Sequence, residues 1–63
     1  EREILEELYQ LPKDYRNILY LYYYEEYTIK EIAEILGKKQ NTVNSKLVRG
    51  RNRLKKLMEV KHG

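Results

Sequence analysis

Apolar residues in this chain recur three and four positions apart, the spacing of helices with one buried side, and nowhere alternate as a strand requires. The first such stretch predicts a helix over roughly Arg2–Gln10, with Ile4, Leu5, Leu8 and Leu11 on one side and an acidic opposite face. Leu11-Pro12 ends it, because proline disfavours helix at the residue before it yet suits the first turn of the next helix. A second helix is expected from about Lys13 to Tyr24, burying Tyr15, Ile18, Leu19 and Tyr22. Thr28, with Glu31 three residues on, reads as a capping box opening a third helix over Ile29–Leu36. Its inward residues are Ile29, Ile32, Ala33 and Leu36. The fourth begins near Lys39 or Gln40 and runs to about Val60, with Val43, Leu47, Gly50, Leu54 and Leu57 as a single seam. The pattern therefore predicts an all-α, four-helix domain. Gly50 falls on the seam, where glycine costs about 1 kcal/mol relative to alanine; a close helix crossing would compensate.

Within this layout, residues 28–49 form a more specific unit. Ala33, Gly37 and Val43 stand four and then six residues apart. Two helices crossing steeply through a short turn need a small residue in the first, a left-handed residue at the turn and an apolar residue that fills the angle. Ala33, Gly37 and Val43 supply these, and Leu47 continues the packed side. This is the spacing of a C-terminal helix-turn-helix, whose second helix can enter a DNA major groove.

Sixty-three residues allow a single domain, 1–63, with a small core that buries about 60% of its unfolded surface. The first residue is Glu1 rather than methionine, so a fragment of a longer protein is expected. Formal charge changes the picture more. Residues 1–36 hold four Lys/Arg against nine Asp/Glu, a balance of −5; residues 37–63 hold nine against one, a balance of +8. The small net charge of +3 hides a dipolar chain whose basic part starts at the turn of the motif, where a polyanion would be attracted. There is no cysteine, which fits a reducing cytoplasm. No apolar run approaches ~18 residues and no signal-peptide pattern opens the chain, so no membrane association is expected.

The chemistry this pattern supports is recognition. Gln40, Asn41, Asn44, Ser45, Val48 and Arg49 are the exposed positions at the start of the last helix and are the candidate base contacts. Asn and Gln can bond adenine N6 and N7 bidentately, Ser can serve either role, and Val48 can touch a thymine methyl. Lys38, Lys39, Thr42, Lys46, Arg51 and Arg53 are the candidate phosphate contacts, joined by the backbone donors of the helix start. Lys55, Lys56 and Lys61 lie beyond the groove. Nothing supports an enzyme, a metal, a cofactor or a small-molecule ligand. Glu6-Glu7 and Glu25-Glu26 are adjacent on helix surfaces and cannot face one another, Ser45 has no histidine to activate it, and His62 stands in the C-terminal tail. Seven tyrosines are the oddity of composition. Tyr20, Tyr22, Tyr23, Tyr24 and Tyr27 cannot all face the core, since successive helical residues point in different directions. Two or three packed inward is the default expectation, and an exposed patch for a protein partner is the alternative.

Four blocks carry a family resemblance: Leu11-Pro12-Lys-Asp-Tyr15-Arg16, Leu21-Tyr-Tyr-Tyr-Glu-Glu-Tyr-Thr28, Lys30-Glu-Ile-Ala-Glu-Ile-Leu-Gly37 and Thr42-Val-Asn-Ser-Lys-Leu-Val-Arg-Gly-Arg51-Asn-Arg-Leu54. Across essentially the whole chain they resemble region 4 of bacterial sigma-70 factors, above all the extracytoplasmic-function branch. The resemblance implies a bacterial, cytoplasmic domain that reads the promoter −35 element with its last helix and directs RNA polymerase to initiate transcription. It also implies docking on the flap of the polymerase β subunit and capture by an anti-sigma factor. Family DNA contacts fall here on Asn44, Ser45, Lys46, Val48 and Arg49. The sequence departs from the family at Lys38 and Lys39 (usually an apolar residue and a Ser cap), at Asn44 (often Lys or Arg), at Glu26 (often a helix-ending Gly) and at Gly50 (usually Ala). Two alternatives stand beside this reading. One is the output domain of a LuxR-type or response-regulator transcription factor; Arg49-x-Arg51 weighs against it. The other is a protein-interaction module without DNA binding.

Overall fold

The computed structural model describes residues 2–62, and the side chains of residues 6–60. Four α-helices follow one another: α1 (Arg2–Gln10), α2 (Lys13–Tyr23), α3 (Ile29–Leu36) and α4 (Gln40–His62). The all-α class and the helix order are those the apolar spacing predicts. Two ends differ slightly. α2 stops at Tyr23, one residue early, and α4 runs to His62, so the backbone of that residue is helical rather than a loose tail. Ile4 and Leu5, expected on the inward side of α1, lie outside the residues whose side chains are described. No helix among the described residues is long and apolar enough to cross a membrane.

α4 organises the rest. At about 1.5 Å rise per residue its 23 residues account for nearly all of the 36 Å long dimension. It packs against α1, α2 and α3, whereas α1 and α3 do not touch one another among the described residues. Val43 and Leu47 of α4 are buried with Ile18 and Leu19 of α2, Ile32 and Ala33 of α3, and Leu8 and Leu11 from α1 and its end. Leu54 and Leu57 extend the seam toward α1 as half-buried packing. At Gly50 the long helix lies close against α2: a Cβ added there would meet Tyr15 Cβ at 3.1 Å and Leu19 Cδ1 at 3.3 Å. The expected close crossing is present, and its partner is α2.

Sequence spacing misplaces Glu7. Expected on the acidic outer face of α1, it is buried at 1% exposure. Glu7 and Leu11 stand one turn apart, and α1 touches both α2 and α4, so its inward side is wider than the leucine stripe alone. Among the tyrosines, Tyr15, Tyr22 and Tyr24 pack against the core, and Tyr9, Tyr20, Tyr23 and Tyr27 are exposed. The Tyr20 and Tyr24 rings stack at 5.3 Å, and Tyr22 meets Tyr23 edge-on at 5.0 Å. Across the Pro12 break, the Arg16 guanidinium lies 5.3 Å from the centre of the Tyr9 ring, a cation–π contact that ties α1 to α2.

Helix ends show where the chain is told to turn. At α3 the capping box is complete: the Thr28 N–H donates to Glu31 Oε1 at 2.9 Å, and the Glu31 N–H donates to Thr28 Oγ1 at 3.1 Å. Gly37 closes the same helix in the left-handed region (φ 65°), with the Lys38 N–H donating to the Ala33 carbonyl at 2.9 Å. That is the Schellman arrangement, which satisfies a carbonyl the helix would otherwise leave open. The end of α2 uses a costlier residue. Glu26 has φ 60°, a conformation that brings an L side chain against its own backbone at a cost of roughly 1–2 kcal/mol. The next residue, Tyr27, donates its N–H back to the Leu21 carbonyl at 3.0 Å, which holds the turn closed.

Glu26→Gly should therefore stabilise the fold by about 1 kcal/mol, raising the melting temperature by about 4–8 °C for a domain this small. Circular dichroism melts of the two chains check it; an unchanged or lower midpoint would show that the turn is not strained.

Candidate nucleic-acid interface

The seam of α4 fixes what its opposite side displays. Val43, Leu47, Gly50, Leu54 and Leu57 turn inward, so residues half a turn away must face out. Asn41, Ser45 and Val48 follow one another at four and three residues on that outward side. Asn44 and Arg49 flank them, and all five are exposed. Val48 is an apolar residue at 45% exposure in the middle of this polar row. Asn52, four residues past Val48 and seven past Ser45, continues the row and is exposed as well. It was not among the sequence candidates, although its spacing was the available signal.

Gln40 differs from the others. It stands three residues before Val43, on a flank turned toward the seam, and is exposed because it is the first residue of α4. Ahead of it, Lys38 and Lys39 occupy the turn after Gly37 and are exposed, as is Thr42 one turn along. The start of α4 has no acidic residue in its first turn. Its positive helix end and the two turn lysines thus lie together with no nearby α4 carboxylate to offset them. Arg51 is exposed on the flank opposite Thr42.

The remaining two phosphate candidates are engaged inside the protein. Lys46 turns toward α2, where its Nζ donates to Asp14 Oδ2 at 2.8 Å. Arg53, two turns further along the same side, lies over the Tyr15 ring with its guanidinium 5.0 Å from the ring centre. Asp14 stands 32 residues from Lys46 in sequence, so no local pattern could have revealed the pair. The hydrogen bond and charge of Lys46 hold the Asp14 carboxyl below its ordinary value, with smaller contributions from Lys38 and Lys13. The motif residues Ala33, Gly37, Val43 and Leu47 sit where a helix-turn-helix needs them: three buried between α3 and α4, and the glycine at the turn.

With this geometry in view, the comparisons are specific. Residues 1–54 match the family model for sigma-70, region 4. The chain belongs to the sigma-70 region 4 family. It is also similar to the RNA polymerase sigma factor SigV of Bacillus subtilis (strain 168), at 39% identity over 49 residues, or 78% of this chain. The matched stretch is 30% of the length of that relative. Family membership decides between the two helix-turn-helix readings that the sequence left open, in favour of sigma over a LuxR-type regulator. α3, the Gly37 turn and the first half of α4 form the helix-turn-helix unit, and α1 and α2 are the platform against which it packs.

The Asp14–Lys46 pair makes one feature of this region 4 fold dependent on acid. Because the folded carboxyl titrates below its ordinary 3.8, the folded state binds fewer protons there than the unfolded chain. The stability contributed by the pair is thus fully present above that ordinary value and is lost as pH falls through the lower, folded one. Asp14→Asn should therefore lower stability slightly on the neutral limb, by the little that exposed ion pairs contribute, and leave the acid end unchanged, so that the two curves converge as pH falls below about 4. Melting temperatures across that range for both chains test it; parallel curves would remove the pair from the acid response.

Proposed function

We propose that this chain binds double-stranded promoter DNA at the −35 element, as region 4 of a sigma factor, and so helps to direct RNA polymerase to initiate transcription. The observation that carries the reading is the outward row of α4: Asn41, Asn44, Ser45, Val48 and Arg49 are all exposed on a helix whose other side is locked into the core. A helix of this width fits a major groove, where side-chain amides discriminate base edges. Asn41, Asn44, Ser45, Val48 and Arg49 contact bases in this reading, with Arg49 reaching a phosphate as well, Gln40 at the near edge and Asn52 at the far end. Lys38, Lys39, Thr42 and Arg51 meet the phosphates that border the groove. The role is binding, with no catalytic step.

Arg49→Ala should weaken binding to a duplex selected from a randomised pool, and should lower the slope of log K against log salt by about 0.9 if Arg49 neutralises one phosphate. Asn44→Ala should instead relax preference at one base pair, a loss of about 1–3 kcal/mol of discrimination there. Fluorescence anisotropy with matched and single-substituted duplexes separates the two. Binding that ignores salt altogether would point to an interaction module that does not use DNA.

The partner on the other side of the domain is the flap of the polymerase β subunit, and the same surface would serve an anti-sigma factor. α2 packs on the seam side of α4, so its exposed Tyr20 and Tyr23 lie off the base-reading row. With Tyr27 they offer aromatic area of the kind protein interfaces use. Titrating the isotope-labelled chain with a β-flap segment should give saturable NMR shifts near these tyrosines and spare Asn44 and Arg49. Shifts confined to α4, or none at all, would oppose this docking face.

A further inference from the structure

Asp14 is a carboxylate that faces the basic half of this chain at close range. It sits in the first turn of α2, beside Lys13, and receives the Lys46 ammonium from α4 at 2.8 Å. Lys38, from the turn before α4, also acts on it. Lys46 lies between Thr42, one turn before it, and Arg49, one turn after it, on the side of α4 that borders the outward row. Its side chain is 25% exposed, whereas that of Asp14 is 60% exposed. The carboxylate is thus at the solvent-facing end of the pair, where an approaching phosphate would have to compete for the same ammonium. The two side chains line an open groove of about 400 Å³ with Pro12, Lys13, Tyr15 and Arg53.

We propose that Asp14 stands in for a DNA phosphate: it holds Lys46 in a pair between α2 and α4 and withholds that cation from the duplex backbone, lowering affinity without altering base preference. The proposal rests on the reading of α4 as a DNA-binding helix. A carboxylate and a phosphate oxygen offer an ammonium the same charge-assisted bond. The carboxylate, however, is already in place and needs no loss of translational freedom to stay there. Held ionised by its neighbours, Asp14 remains an acceptor throughout the neutral range. It also adds a fixed negative charge at the margin of the groove, against which an incoming phosphate must be placed. The basic half therefore presents a smaller effective charge than its composition suggests, and sequence-independent binding is reduced more than base readout.

The experiment is the salt dependence of duplex binding by anisotropy, for the unmutated chain, Asp14→Asn, Lys46→Gln and the double variant. Asp14→Asn should tighten binding several-fold at low salt and steepen the slope of log K against log salt by about 0.9, one additional phosphate neutralised. Lys46→Gln alone should leave the slope unchanged, because its charge is already committed, and the double variant should return the slope to that of the unmutated chain. Competition with single-substituted duplexes should show the same base preference throughout. An unchanged slope in Asp14→Asn, or a slope that falls by about 0.9 in Lys46→Gln, would overturn the proposal. So would altered base preference without a change of slope, which would make the pair a contact that orients α4. If the unmutated chain bound no duplex in a salt-dependent way, the DNA-binding reading would fail and take this inference with it. If it bound and only the variants disagreed, the inference alone would fail.

Discussion

The seam of α4 is the constraint on which the rest of the molecule depends. A single helix of 23 residues touches all three of its neighbours and supplies the buried Val43 and Leu47. Its contact with α2 is close at Gly50, where Tyr15 Cβ and Leu19 Cδ1 leave little room even for a methyl group. Glycine in mid-helix gives up about 1 kcal/mol of helix preference, and here the lost side chain lets two backbones approach and bury Ile18 and Leu19 completely. Because rotation about the axis of α4 would drag the seam out of the core, the outward row of Asn41, Ser45 and Val48 is held at a fixed orientation. Preorganisation of that kind spares the ordering cost a flexible reading surface would incur on binding.

Two left-handed turns set how α3 follows α2 and how α4 follows α3, and they are built with unequal economy. Gly37 adopts φ 65° without steric conflict and leaves the Lys38 amide free to close onto Ala33. Glu26 adopts φ 60° with a full side chain. The strain is tolerated because the Tyr27 amide is tied to Leu21 on one side and the Thr28 cap begins α3 on the other. With both neighbours fixed, the residue between them has no other conformation that closes the chain.

Electrostatics divides the same way. The acidic half comprises α1, α2 and α3, and the basic half begins at the Gly37 turn and carries α4. At the boundary the two halves interact directly, through Asp14 and Lys46, and through Arg53 on the face of Tyr15. These contacts join α2 to α4 and engage two basic groups, Lys46 and Arg53, that composition alone would assign to phosphate.

The amino-acid sequence by itself determined the helices, because apolar period, proline, capping box and glycine are local signals read within a turn or two of chain. It determined the family too, since the blocks from Leu11-Pro12 to Leu54 lie within the matched residues 1–54. It placed Ala33, Gly37, Val43 and Leu47 correctly, and the exposure of Asn44, Ser45 and Val48 followed from the seam. Tertiary structure alone decided the fate of residues whose partners are remote in sequence. Glu7 is buried where α1 packs against two helices at once, and Lys46 answers Asp14 across 32 residues. Side-chain periodicity tells which way a residue points; what it meets there depends on where another helix happens to lie, and that is settled only when the core closes.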